Sequence, residues 1–151
     1  MKISDYLLLE HVVILAGTTK IVALNEIVTA VGNFNDSIGT EELSRAIWKR
    51  ERMMSTGIGQ GLGIPHVRLP GLSDAVMAVG ISRNGIADYE SLDNKPVHII
   101  VLIAAPQGRH EIYIRLLAKV ANVLKQDKIR KAITEADNAA TVYRILVEGK
   151  V

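Results

Sequence analysis

A histidine directly after a proline, at the end of a glycine-rich segment, is the first place in this chain where chemistry could be done. Between Gly57 and Ile64, glycine takes every second position (Gly57, Gly59, Gly61, Gly63), with Ile58, Gln60, Leu62 and Ile64 between them. Read at strand periodicity, one face of this segment has no side chains. Glycines weaken a strand through lost entropy, so four of them call for close approach by a helix, another backbone segment or a ligand. Pro65 ends the strand and fixes the local backbone, presenting His66 at a sheet edge with little freedom to swing away. An imidazole is largely neutral and nucleophilic near pH 7, and a phosphoramidate formed on it can pass its phosphate onward. Without the flanking pattern, such a histidine would more often simply sit in a turn.

The glycines fit neither common phosphate-cradling motif. A dinucleotide fingerprint needs a helix directly after the glycines, whereas Pro65 follows here, and a Walker loop needs a Gly-Lys-Ser/Thr that is absent. Metal-dependent hydrolysis through His66 and His110 lacks His-x-x-x-His or His-x-His spacing, with only Glu111 and Asp74 as loose carboxylate neighbours. No metal and no cofactor is therefore expected. His11, just before a strand, and His98, inside an apolar one, read as hydrogen-bonded structural groups.

The surrounding pattern must position these residues. Val12–Leu15, closed by Gly17, reads as a strand. Apolar residues at helical spacing predict a first helix over Thr19–Val31 with Gly32 as its C-terminal cap. A second helix is placed at Thr40–Arg52, with Thr40 a partial cap, Glu41 and Glu42 in the first turn and Lys49 and Arg50 in the last. Ala75–Ile81 and Val97–Ala104 read as strands, the second an unbroken apolar run buried on both faces. After Pro106-Gln107-Gly108, the stripe Ile112, Leu116, Leu117, Val120, Ala121, Leu124 is helical, and shorter helices follow near Asp127–Ala136 and Ala139–Val147. The expected fold is α+β, a three-layer α/β/α arrangement in which a mixed central sheet carries helices on both faces. Its order is roughly β-α-α-β-β-β-α-α-α.

Composition bounds the partners. A chain of 151 residues, 48% hydrophobic and 23% charged, can bury roughly two-thirds of its unfolded surface and is expected to be one domain spanning 1–151. A net charge of only +2, with both signs interspersed, gives no footprint for nucleic acid. Without cysteine there is neither disulfide nor thiolate metal site. No apolar stretch approaches the roughly 20 residues that span a bilayer and the first residues do not form a signal peptide, so a cytoplasmic location without membrane insertion is expected.

The run Arg50-Glu51-Arg52-Met53-Met54-Ser55-Thr56-Gly57-Ile58-Gly59-Gln60-Gly61-Leu62-Gly63-Ile64-Pro65-His66 resembles the enzyme IIA signature of the bacterial sugar phosphotransferase system, in its fructose, mannitol and nitrogen-regulatory class. The similarity extends from Lys2–Leu7 through Gly85-Ile86-Ala87 and Asp93–Val97 to Leu117-Ala118. It implies that His66 takes phosphate from the small histidine phosphocarrier protein and hands it to an enzyme IIB domain. The alternative it implies is a stand-alone nitrogen-regulatory protein whose phosphorylation state controls partner binding. Arg50 matches the family's active-site arginine, whose positive fork can bind phosphate oxygens and stabilise charge in the transition state. Its bland reading is a solvated helix end. Ser55 and Thr56 could donate hydroxyl hydrogen bonds to the phosphate or serve a turn or cap.

Two positions depart from the family pattern. Where many members carry a second histidine at the head of the later helix, this chain has Tyr113, with His110 three residues earlier. Residues at i and i+3 share a helix face, so either could donate to phosphate if the helix already extends to His110. Val67 stands where glycine is common and narrows the pocket mouth, and Arg68 could add positive charge or be plain surface. The sugar, and any self-association into a homo-oligomer, are left open.

Overall fold

The computed structural model describes residues 1–34 and 39–151. A 3-10 turn at Ile3–Asp5 leads into β1 (Leu7–Ile14), α1 (Lys20–Phe34) and α2 (Thr40–Met53). The strands β2 (Gly57–Gly59), β3 (Leu62–Gly63), β4 (His66–Leu69), β5 (Val76–Ile86) and β6 (Val97–Pro106) follow, and α3 (His110–Leu124), α4 (Asp127–Glu135) and α5 (Ala139–Glu148) close the chain. The six strands lie in one mixed sheet, ordered β1-β5-β6-β3-β2, with β4 also paired to β6. β1 is parallel to β5, β5 antiparallel to β6, and β3 and β4 both run parallel to β6.

Strand alternation explains why the central strands read as unbroken apolar runs. Met77, Val79 and Ile81 of β5 and Ile99, Val101 and Ile103 of β6 face one core, shared with α3, α4 and α5. Val76 and Ala78 of β5 and Ile100, Leu102 and Ala104 of β6 face the other core, shared with α1 and α2. Both faces are covered, so no polar alternation is needed.

Some expectations are corrected. The segment Gly57–Ile64 is not one strand: β2 and β3 form an antiparallel hairpin pairing Gly57 with Gly63 and Gly59 with Leu62. Its turn places Gly59, Gln60 and Gly61 at φ of 94°, 58° and 77°, left-handed backbone that glycine adopts freely. The hairpin adds one strand and the unexpected β4, which restarts the sheet directly after Pro65, adds another, so the count rises from four to six, giving β-α-α-β-β-β-β-β-α-α-α. Gly32 does not cap α1 but lies inside it, where an added Cβ would collide with the side chain of Thr40 at the start of α2. Thr40 in turn is the first helical residue and Gly39 the N-cap, with no side-chain capping bond.

β1 is irregular. It begins at Leu7, earlier than its apolar run suggested, and between the pairs Leu7–Met77 and Val12–Val79 it bulges away from β5. Leu8 and Leu9 are 48% and 43% exposed on this bulge, while His11 at its end is buried. Among the described residues no helix is long and apolar enough to cross a membrane.

Candidate functional site

The parallel strands β3 and β4 lie end to end along β6, interrupted at Ile64-Pro65, and His66 is the first residue after the interruption. Pro65 contributes no donor to the sheet, but its carbonyl accepts from Ile103 N–H at 3.0 Å and His66 pairs with Ile103. The half-buried imidazole is then fixed twice. Nδ1 lies 2.9 Å from the Ile64 carbonyl, which can only accept, so Nδ1 carries the hydrogen and, in the neutral ring, Nε2 holds the lone pair. The Tyr113 ring stacks on the imidazole, with centroids 5.1 Å apart and planes at 23°.

The hairpin that delivers His66 is clamped by the connection between β5 and β6. Ser91 Oγ accepts from Gly59 N–H and an Asp93 carboxylate oxygen accepts from Gln60 N–H, each at 2.9 Å. The N–H groups of Gln60 and then Lys95 hold the Asp93 carboxyl below the usual carboxylate range.

His66 opens onto a cavity of about 830 Å³. One wall is α2, whose Glu42, Arg45, Ala46, Lys49, Arg50 and Met53 recur at helical spacing, and the other is β4 and the head of α3, with Val67, Arg68, His110 and Tyr113. Four cationic side chains face one carboxylate, so the cavity carries a positive field suited to an anion. The Arg50 guanidinium is tethered, Nη1 donating to the Met54 carbonyl at 2.8 Å. α3 does begin at His110, so His110 and Tyr113 share a face, their rings 5.9 Å apart. Burial pushes the Tyr113 phenol up, and the charges of Arg50 and Arg68 only partly oppose it. That phenol stays protonated at neutral pH, an O–H donor beside the imidazole.

Thus His66, Arg50, Arg68, His110 and Tyr113 border one space, and Ser55 and Thr56 do not. Ser55 Oγ donates to the Glu90 carbonyl at 2.6 Å. Thr56 Oγ1 is buried and bonded to Glu51 Oε2 at 2.8 Å and Tyr89 OH at 2.7 Å, leaving it unavailable to a ligand in the cavity. The expected phosphate contacts from these two hydroxyls are corrected accordingly. Arg45 and Lys49 were missed, although their i, i+4 spacing on the expected second helix was a usable signal. His98 is hydrogen-bonded as expected, Nδ1 to the Ser82 carbonyl at 2.9 Å. His11 is not: both its nitrogens are buried without a partner, and burial lowers its pKa. Among the described residues no group of three or more histidines and carboxylates is arranged to hold a metal ion.

Residues 7–149 match the family described as phosphoenolpyruvate-dependent sugar phosphotransferase system, EIIA 2. The chain is 34% identical to the fructose-specific EIIABC component of Bacillus subtilis, over 97% of its own length and 23% of that protein's. It thus spans about a quarter of that relative. The crystal structure of nitrogen regulatory protein IIA-Ntr from Neisseria meningitidis superposes with a TM-score of 0.86 at 27% identity, covering 95% of this chain and 98% of that one. The Escherichia coli mannitol enzyme IIA, solved in complex with phosphorylated enzyme IIB, shares the fold at a TM-score of 0.73 and 16% identity, over 92% of this chain and 95% of that one.

Proposed function

This chain belongs to the EIIA 2 family of the phosphoenolpyruvate-dependent sugar phosphotransferase system, and from that premise we propose that it is a phosphohistidine carrier with His66 Nε2 as the acceptor. The observation that carries the reading is the bond from Nδ1 to the Ile64 carbonyl beside a cationic cavity, which leaves the other nitrogen's lone pair free for attack.

In the proposed reaction the Nε2 lone pair attacks the phosphorus of a donor phosphohistidine. The new N–P bond forms as the donor's N–P bond breaks, and the donor imidazole leaves with that electron pair. His66 needs to lose no proton, because Nδ1–H stays on the Ile64 carbonyl and that bond strengthens as the ring becomes positive. Arg50 and Arg68 offset the charge on the transferring oxygens, and the Tyr113 phenol or His110 donates a further hydrogen bond. The reverse geometry passes the group to the next acceptor.

The donor would be the histidine phosphocarrier protein and the acceptor an enzyme IIB domain, in the cytoplasm. A second reading, a nitrogen-regulatory protein whose phosphorylation state governs partner binding, is favoured by the near end-to-end match to IIA-Ntr. The test of the carrier reading is incubation with phosphoenolpyruvate, the system's first enzyme and the histidine phosphocarrier, followed by intact mass measurement. Wild type should gain one acid-labile phosphate and His66→Ala none; a wild type that gains none refutes it. Exposure of the phosphorylated chain to an enzyme IIB domain then separates the readings, since a transport component passes the phosphate on whereas a regulator only changes its binding.

A further inference from the structure

We propose that Lys20, Glu51, Thr56 and Tyr89, none of which borders the cavity, form one positioning network that sets Arg50 and His66 against each other; the inference rests on the carrier reading above. Lys20 Nζ lies 2.9 Å from Glu51 Oε1, with side chains only 12% and 2% exposed. The same ammonium sits 4.4 Å from the centroid of the Tyr89 ring. Glu51 Oε2 accepts from Thr56 Oγ1 at 2.8 Å, and that hydroxyl shares a 2.7 Å bond with Tyr89 OH.

Buried ion pairs are weak evidence for stability, since well-packed apolar replacements often serve as well. What distinguishes this one is where its members lead. The Thr56 carbonyl accepts from Ile64 N–H at 3.0 Å, and the Ile64 carbonyl is the group that holds His66 Nδ1. Two short bonds therefore separate the network from the imidazole. On the other side, Glu51 follows Arg50 directly, and Thr56 is two residues from Met54, whose carbonyl tethers the Arg50 guanidinium. The Tyr89 ring also packs against Gly63 on the strand that runs into His66. One buried cluster thus spans the start of α1, the end of α2, the hairpin and the β5–β6 connection. It reaches both the proposed nucleophile and the proposed charge stabiliser, while no member is itself available to the transferring group.

The test compares Tyr89→Phe, Thr56→Val and Thr56→Ser with wild type, below their melting temperatures. One readout is the single-turnover phosphorylation of His66 by the phosphorylated histidine phosphocarrier, and the other is the 15N chemical shifts of the His66 ring. Tyr89→Phe and Thr56→Val should each slow the saturated rate roughly 10- to 100-fold with the donor's half-saturation concentration within about twofold of wild type. Their His66 shifts should move from the Nδ1–H tautomer toward a mixture of tautomers. Thr56→Ser, which keeps the hydroxyl, should retain the wild-type rate and shifts. If Thr56→Val does not fold, Tyr89→Phe, which keeps the ring against Gly63, decides alone. Folded variants with wild-type rates and wild-type tautomer, or with changes confined to half-saturation, would overturn the network. A wild type that accepts no phosphate removes the carrier reading, and the tautomer measurement, which needs no phosphate, then judges the network by itself.

Discussion

Replacing Gly63 with alanine probes the fit between the hairpin and Tyr89. The backbone at Gly63 is not left-handed, so alanine meets no conformational penalty there, and Tyr89 is the obstacle. A Cβ would sit 2.8 Å from Tyr89 Cζ, 2.9 Å from its hydroxyl oxygen and 3.1 Å from Cε1. Carbon atoms pack at about 3.5–4.0 Å, so the ring would have to retreat by about 0.7 Å. Tyr89 is 1% exposed and its hydroxyl is held by Thr56 at 2.7 Å, so it has nowhere to go without breaking that bond. Overpacking of this kind costs about 1–3 kcal/mol. In a domain of this size each kcal/mol lowers the melting temperature by about 2–4 °C, so a fall between about 2 and 12 °C is expected. Thermal and urea unfolding followed by circular dichroism would measure it, and the substitution should then be repeated in a Tyr89→Leu background, which lacks the crowding para-carbon and hydroxyl. There the alanine should cost at least about 1 kcal/mol less than in wild type, a coupling of the size seen between touching side chains. Equal costs in the two backgrounds, or a neutral Gly63→Ala, would refute the steric account.

Arg50→Lys keeps the charge but loses the fork that can hold the Met54 carbonyl and phosphate together, so the saturated phosphorylation rate should fall roughly 10- to 100-fold; an unchanged rate in quenched-flow mass measurements would leave Arg50 as a helix end only. Tyr113→Phe preserves the ring on His66 and removes the O–H, so a rate drop of about tenfold or more identifies the phenol as the donor, whereas a drop seen only with His110→Ala assigns that role to His110. Burial lowers the His11 pKa, and the Glu10 charge opposes it only weakly, so the unfolded chain takes up that proton more readily and stability should decline as pH falls below about 6.5. Urea midpoints should show His11→Leu flattening the decline between about pH 7 and pH 5; parallel curves for variant and wild type would contradict this.

Much of the fold was legible because it follows from local pattern. The apolar run at Val97–Ala104 matches β6 to within two residues, and the helix after Gly108 begins where His110 allowed it to. What the pattern could not reveal was pairing across distance. Alternating glycines signalled close approach, but the Tyr89 ring against Gly63 and the Glu90 carbonyl against Gly57 come from a connection about 30 residues away. The same spacing that suits a strand also suits a hairpin whose turn needs left-handed residues, and only the fold chooses between them. Gly32 reads as a stop signal, yet the helix runs through it, and the glycine serves instead to leave room for the Thr40 side chain. At the site, the Pro65-His66 pair, Arg50 in the last turn of α2 and His110 at the head of α3 were readable. For Ser55 and Thr56 the choice between phosphate donor and turn or cap stayed open, because a hydroxyl beside a motif gives no hint of which way it faces; here Ser55 turns to the Glu90 carbonyl and Thr56 to buried Glu51 and Tyr89.

The bulge in β1 bears on how the molecule behaves when crowded. β1 ends the sheet, and a straight apolar strand there would offer a docking rail on which a second copy could lay its own strand. Between its pairs with Met77 and Val79, however, β1 takes five steps where β5 takes two, so its outer amide groups fall out of register with any regular neighbour. Leu8 and Leu9 are left facing water on a ragged margin, whose broken register makes it a poor rail for strand addition even though it stays apolar.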